Sequence, residues 1–110
     1  MDFEIDELAG VKHVRPHGEL VGDQTDFIDA ITNLITAPGI RIVIDLSDVP
    51  FMNSTGLSEL VRIVAQANIQ EARVVLANLS PFVAGVLQTT QLVRFFEIYA
   101  TTEEALARLE

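Results

Sequence analysis

Three groups of side chains in this chain are of types that could do chemistry. The first is the run Asn53-Ser54-Thr55-Gly56, which sets two hydroxyls between an amide and a glycine. Such hydroxyls serve as nucleophiles, as phosphate acceptors or as part of a helix start. The second is Asp45 with Asp48, a carboxylate pair that could hold magnesium or act as a general base. The third is His13 with His17, four apart and so on one side of a strand. Cysteine is absent, which excludes disulfides, thiolate metal sites and thiol catalysis. The histidines have no acidic or thiol partner at metal-site spacing and read as surface or edge residues. Asp45 reads as a strand end and Asp48 as a turn start. No phosphate-binding loop, dinucleotide fingerprint or Gly-x-Ser-x-Gly elbow occurs. No nucleophile can be matched with a base, so the expectation is a non-enzymatic protein without metal or cofactor.

The hydrophobic pattern alternates between a period of two and one near 3.6, the mark of strands alternating with helices. Residues 3–8 form a weak first strand. Residues 11–20 form a second, with Pro16 pointing to an edge or a bulge. Phe27, Ile28, Ile31, Leu34 and Ile35 share one helical face, which predicts a helix over 23–36 capped by Asp23 and stopped at Pro38-Gly39. Residues 40–46 are the best strand. Ile40, Ile42, Ile44 and Leu46 face one way and Val43 the other, as in a central strand. A loop over 47–52 leads to the strongest helix, 54–68, with Leu57, Leu60, Val61, Val64 and Ala65 as its apolar face. A strand follows over 73–77. Ser80-Pro81 opens a helix whose stripe of Phe82, Val83, Val86 and Leu87 is mostly core; an exposed Phe82 would be a contact residue. A last short strand covers 95–99. Thr101 and Glu104 then form a capping box for a closing helix. The expected fold is a single α/β domain over 1–110, a mixed, mostly parallel sheet of four to five strands with about four helices.

Composition narrows the class of function. The chain has 110 residues and is 49% hydrophobic, enough for one core. Its net charge is −9, from seven basic and sixteen acidic residues. That argues against non-specific nucleic-acid binding and against docking on anionic lipid. No apolar run has the length of a membrane span, and the first residues are acidic where a signal peptide is basic, so direct membrane insertion is not expected and the cytoplasm is the expected location.

The junction between the central strand and the strongest helix repays closer reading. With Asn53 as cap, its side-chain oxygen accepts a first-turn N–H. Met52 and Leu57 then have the spacing of a hydrophobic staple. Ser54 becomes the first helical residue with an exposed hydroxyl. Gly56 is costly in a first turn unless something approaches it closely. A phosphate on Ser54 would meet the positive end of the helix dipole, so the fold would tolerate it. A partner docked there would meet an added charge of about −1.5 to −2. Taken alone, the same residues make an ordinary helix start.

Four segments in order, including Val43-Ile44-Asp45-Leu46-Ser47, Phe51-Met52-Asn53-Ser54-Thr55-Gly56-Leu57, Asn78-Leu79-Ser80-Pro81 and Leu92-Val93-Arg94-Phe95-Phe96-Glu97-Ile98, resemble a STAS domain of the anti-sigma-factor antagonist family. The resemblance runs from Gly18-Glu19-Leu20 to Glu104-Ala105-Leu106. It implies a STAS-like fold and a phosphorylation site at Ser54, with Thr55 as a second acceptor. It also implies two partners: an anti-sigma factor with a GHKL-type serine kinase domain, and a PP2C-type phosphatase that reverses the modification. The expected partner surface comprises Asn53, Ser54, Thr55 and Gly56 with Ser58, Glu59 and Arg62 on the exposed side of the helix. Asp23, Thr25 and the loop 48–52 border it. The chain departs from the family pattern at Asn53, where Asp is usual, at Gln91, where Gly is usual, and over 68–71, which lacks a Gly. Asn53 keeps the cap and removes a negative charge beside the acceptor. That feature favours an alternative within the same fold: a scaffold or transporter-associated subunit without a phospho-switch. A small hydrolase ranks lowest.

Overall fold

The alternation in β3 (Arg41–Asp45) fixes the architecture, because Ile42, Val43 and Ile44 are all fully buried and point to both sides of the sheet. The computed structural model describes residues 1–22 and 25–109, and of Thr25 the backbone alone. The elements are β1 (Asp2–Leu8), β2 (Val11–His17), α1 (Thr25–Leu34), β3, α2 (Ser54–Ile69), β4 (Arg73–Ala77), α3 (Pro81–Thr89), a 3-10 turn (Leu92–Arg94), β5 (Ile98–Tyr99) and α4 (Thr102–Leu109). The strand order is β1-β2-β3-β4-β5. The β1–β2 pair is antiparallel and the other three pairs are parallel. This is the expected single α/β domain, with a mostly parallel mixed sheet and, among the described residues, four α-helices.

One face of the sheet buries Val14, Ile42, Ile44, Val74 and Leu76 against Phe27 and Ile31 of α1, Leu60, Ile63 and Val64 of α2, and Val83 and Leu87 of α3. The other face buries Val11, Val43, Val75 and Ala77 against Ala105 and Leu109 of α4. Each large aliphatic side chain taken from water contributes about 1.5–3 kcal/mol before chain entropy is counted. The two-sided burial is what holds the carboxyl end of β3 in place.

Several boundaries differ from the sequence reading. β2 ends at His17, and Leu20 joins the fold instead through a lone parallel bridge to Met52. Pro16 sits beyond the ladder with β3, which spans Lys12 to Val14, so its missing N–H costs no bond there. The helix expected over 23–36 is Thr25–Leu34, and the cap assigned to Asp23 lies outside the described residues. The last strand shrinks to Ile98–Tyr99: after a 3-10 turn at Leu92–Arg94, residues 95–97 lie outside the strand, with Phe96 buried in the core. Of the capping box at α4, the bond from the Glu104 N–H to the Thr101 hydroxyl forms at 3.1 Å.

Candidate functional site

The site is the turn from β3 into α2. Its backbone is pinned on several sides. The Gly18 N–H donates to the Asp48 carbonyl, the Leu20 N–H to the Phe51 carbonyl, and the Asn53 N–H back to the Leu20 carbonyl, at 2.9–3.2 Å. The Ser80 hydroxyl donates to the Val49 carbonyl at 2.7 Å. Gly56 is explained by the same crossing of chains. A Cβ there would lie 2.0 Å from the Leu20 carbonyl oxygen, so only glycine fits. The close approach expected at Gly56 is therefore made by this chain's own backbone.

Asn53 caps α2. Its φ and ψ are extended, and its side-chain oxygen accepts the Gly56 N–H at 2.9 Å. Met52 and Leu57, the staple pair, are both buried in one core cluster. Ser54 is the first residue of α2 and is exposed, and its carbonyl accepts the Ser58 hydroxyl at 2.9 Å. The first turn of α2 carries no acidic residue, so the helix itself supplies no counter-charge to the positive end of its dipole. Thr55 is exposed, and its methyl lies where a Cβ on Gly22 would sit.

Of the other residues expected on the partner surface, Ser58 and Arg62 are exposed in line with Ser54, at i+4 and i+8. Glu59 is not; it is only 7% exposed. The correction has a geometric reason. The buried stripe of α2 runs through Gly56, Leu57, Leu60, Ile63, Val64 and Ala67, and Glu59 lies three after Gly56 and four before Ile63. The apolar face drawn through Val61 and Ala65 was rotated too far, and both are half-buried. Asp23 and the side chain of Thr25 lie outside the described residues.

The carboxylates of the turn serve the fold. Asp45 accepts the Ser47 N–H at 2.9 Å, the Asn78 amide at 3.2 Å and the Thr102 hydroxyl at 3.4 Å, tying β3, β4 and α4 together. Burial raises its pKa, but the hydrogen bonds from Ser47 and Asn78 outweigh that and hold it below the ordinary carboxylate value. Asp48 and Glu4 each lie 2.5 Å from a ring nitrogen of His17, and these bonds push the imidazole pKa up. Among the described residues no group of three or more acidic, histidine or cysteine side chains is arranged to hold a metal ion.

One feature escaped the sequence reading as a whole, although its pieces were visible. Met52, Asn53, Ser54 and Leu57 form one wall of an open groove of about 550 Å³. Pro81, Phe82, Gly85, Val86, Thr89 and Thr90 of the α3 segment form the other. Phe82 is 41% exposed and its ring lies 5.0 Å from that of Phe51, which is 37% exposed. A stripe read as core could not reveal which of its members would face solvent. Gly85, in mid-helix, was the available signal.

Comparison with known proteins agrees with this geometry. The model of the STAS domain family matches residues 2–105. TM1081 of Thermotoga maritima, a candidate anti-sigma factor antagonist, is 25% identical with a TM-score of 0.86 over 97% of this chain and 93% of its own. SpoIIAA of Bacillus, in its phosphorylated form, is 24% identical with a TM-score of 0.73 over 99% of this chain and 100% of its own. The murine anion transporter Slc26a9 shares the fold at 18% identity and a TM-score of 0.79, over 94% of this chain but only 18% of its own. With the match to the family model spanning nearly its full length, and a sheet and capped α2 that keep the order of the motif segments, this chain belongs to the STAS domain family.

Proposed function

We propose that the chain is an anti-sigma-factor antagonist whose binding is switched at Ser54. Unmodified, it binds an anti-sigma factor that carries a GHKL-type serine kinase domain, and so frees a sigma factor for transcription. Phosphorylation of Ser54 by that kinase ends the complex, and a PP2C-type phosphatase restores it. The chain is a binding module and catalyses no step itself. The observation that carries this reading is Ser54: an exposed hydroxyl at the first position of a firmly capped helix without first-turn acid. A phosphate there is accepted by the helix dipole and adds about −1.5 to −2 charge at the surface a partner must desolvate. SpoIIAA, which shares the fold, is an anti-sigma factor antagonist known in unphosphorylated and phosphorylated forms.

Asn53 and the transporter relative support a second reading, a scaffold subunit without a switch. Affinity capture from host lysate with wild-type and Ser54→Glu baits separates them. The switch reading expects a GHKL-type kinase or anti-sigma factor on wild type alone. Recovery of the same transporter or scaffold proteins on both baits would replace it with the second reading.

A further inference from the structure

Gly85 has no reason inside the fold to be glycine. It lies in the middle of α3, where glycine weakens a helix, and its backbone is not left-handed. A Cβ built on it meets nothing within 4 Å. Gly56, by contrast, is forced by the Leu20 carbonyl. What Gly85 does border is the groove beside Ser54. A side chain there would fill the groove, and glycine keeps it open.

We propose, resting on the switch reading above, that this groove seats an uncharged, apolar side chain of the anti-sigma-factor partner. Among the described residues, none that lines the groove carries a charge. A fatty-acid carboxylate or phospholipid headgroup would find no counter-charge there, and burying an unpaired ion is costly. A second copy of the chain would bring another −9 against the first. The occupant that suits the lining is an aliphatic or aromatic anchor presented from a neutral or basic surface. Such anchors in desolvated pockets carry most of the binding energy of an interface. The partly exposed ring pair of Phe82 and Phe51 extends the apolar surface on the α3 side. Ser54 stands on the opposite wall, so a phosphate and its hydration shell would occupy the mouth of the seat. The switch and the anchor site thus share one wall.

The test uses the full chain and each GHKL-type kinase of the host, purified and titrated by calorimetry. Gly85→Leu fills the groove and adds a strong helix former in open space, so its melting temperature should equal or exceed that of wild type. Phe82→Ala removes part of the far wall without filling it. The proposal expects Gly85→Leu to weaken binding about tenfold or more, the scale of a lost anchor contact, and Phe82→Ala to weaken it less. If Gly85→Leu binds like wild type while Ser54→Glu does not, the groove proposal falls and the switch stands. If Gly85→Leu loses binding while Ser54→Glu keeps it, the groove stands and the switch falls. If no kinase binds wild type, both fall. Self-association of wild type abolished by Gly85→Leu, or oleate bound by wild type alone, would assign the groove to a second copy or an acyl chain and overturn the proposal.

Discussion

His13 and His17 lie on the same face of β2, yet the fold moves them in opposite directions. His13 is 6% exposed, and burial together with the charge of Arg15 depresses its pKa against the pull of Asp45 and Asp6. His17 is partly exposed, and its bonds to Asp48 and Glu4 raise its pKa. The linkage signs follow. A depressed histidine contributes stability that is complete above the unfolded value of about 6.5 and is lost as pH falls through the folded value. A raised histidine contributes stability that is complete below about 6.5 and is lost as pH rises through its folded value. The pair should therefore give a maximum of stability near pH ~6.5. Urea unfolding as a function of pH checks this: His17→Gln should remove the decline above the maximum, and His13→Gln the decline below it. A variant that leaves its flank unchanged would refute the assignment. The sequence placed both histidines at the surface. It could not see that one of them, His13, would be buried in a strand paired on both sides, because a polar residue's burial depends on elements distant in sequence. Glu59 was misplaced for a related reason: one polar residue in an amphipathic helix reads as solvent-facing until the buried stripe is located.

At the scale of elements, the helix ends are where the sequence departs from its family and where the structure bears strain. α2 closes in a Schellman motif: the Ala72 N–H reaches the Ala67 carbonyl at 2.9 Å and the Glu71 N–H the Asn68 carbonyl at 3.1 Å. Glu71 takes the left-handed position, with φ of 60°. Gln91 does the same after α3, again with φ of 60°. A left-handed backbone costs a residue with a Cβ about 1–2 kcal/mol, and glycine avoids that. Glu71→Gly and Gln91→Gly should each stabilise the domain, by about 1 kcal/mol once the extra chain entropy of glycine is subtracted. Chemical denaturation would register this as a higher midpoint at unchanged slope; a lower midpoint would contradict it. The missing glycines were legible as helix-end variation, but the sequence could not say which residue would turn left-handed. The strands, the caps at Asn53 and Ser80, and the opposed faces of β3 were legible because each rests on local periodicity or local hydrogen bonding. β5 was overextended because the apolar pair Phe95-Phe96, which lies in the turn before the strand, carries no local sign of where pairing with β4 begins.

At the scale of the whole molecule, the sheet divides the protein into two sides of different use. α4 closes one side, tied down through Asp45, Asn78 and Thr102. The other side carries α1, α2 and α3, and between α2 and α3 lies the uncharged groove with Ser54 on its rim. The chain is strongly acidic, yet the described lining of this groove is uncharged, so one phosphate changes its character more than it would on an already charged face. The fold has little reason to respond to that phosphate, since the helix start is capped and its dipole welcomes negative charge. Binding and folding should therefore separate. The most direct measurement is a calorimetric titration of the anti-sigma partner into the unmodified chain and into the chain phosphorylated at Ser54, with the melting temperature of each recorded. The account predicts that phosphorylation leaves the melting temperature equal or higher and weakens binding by about tenfold or more. Equal affinity in the two forms, or a phosphorylated chain that binds less only because it has begun to unfold, would contradict it.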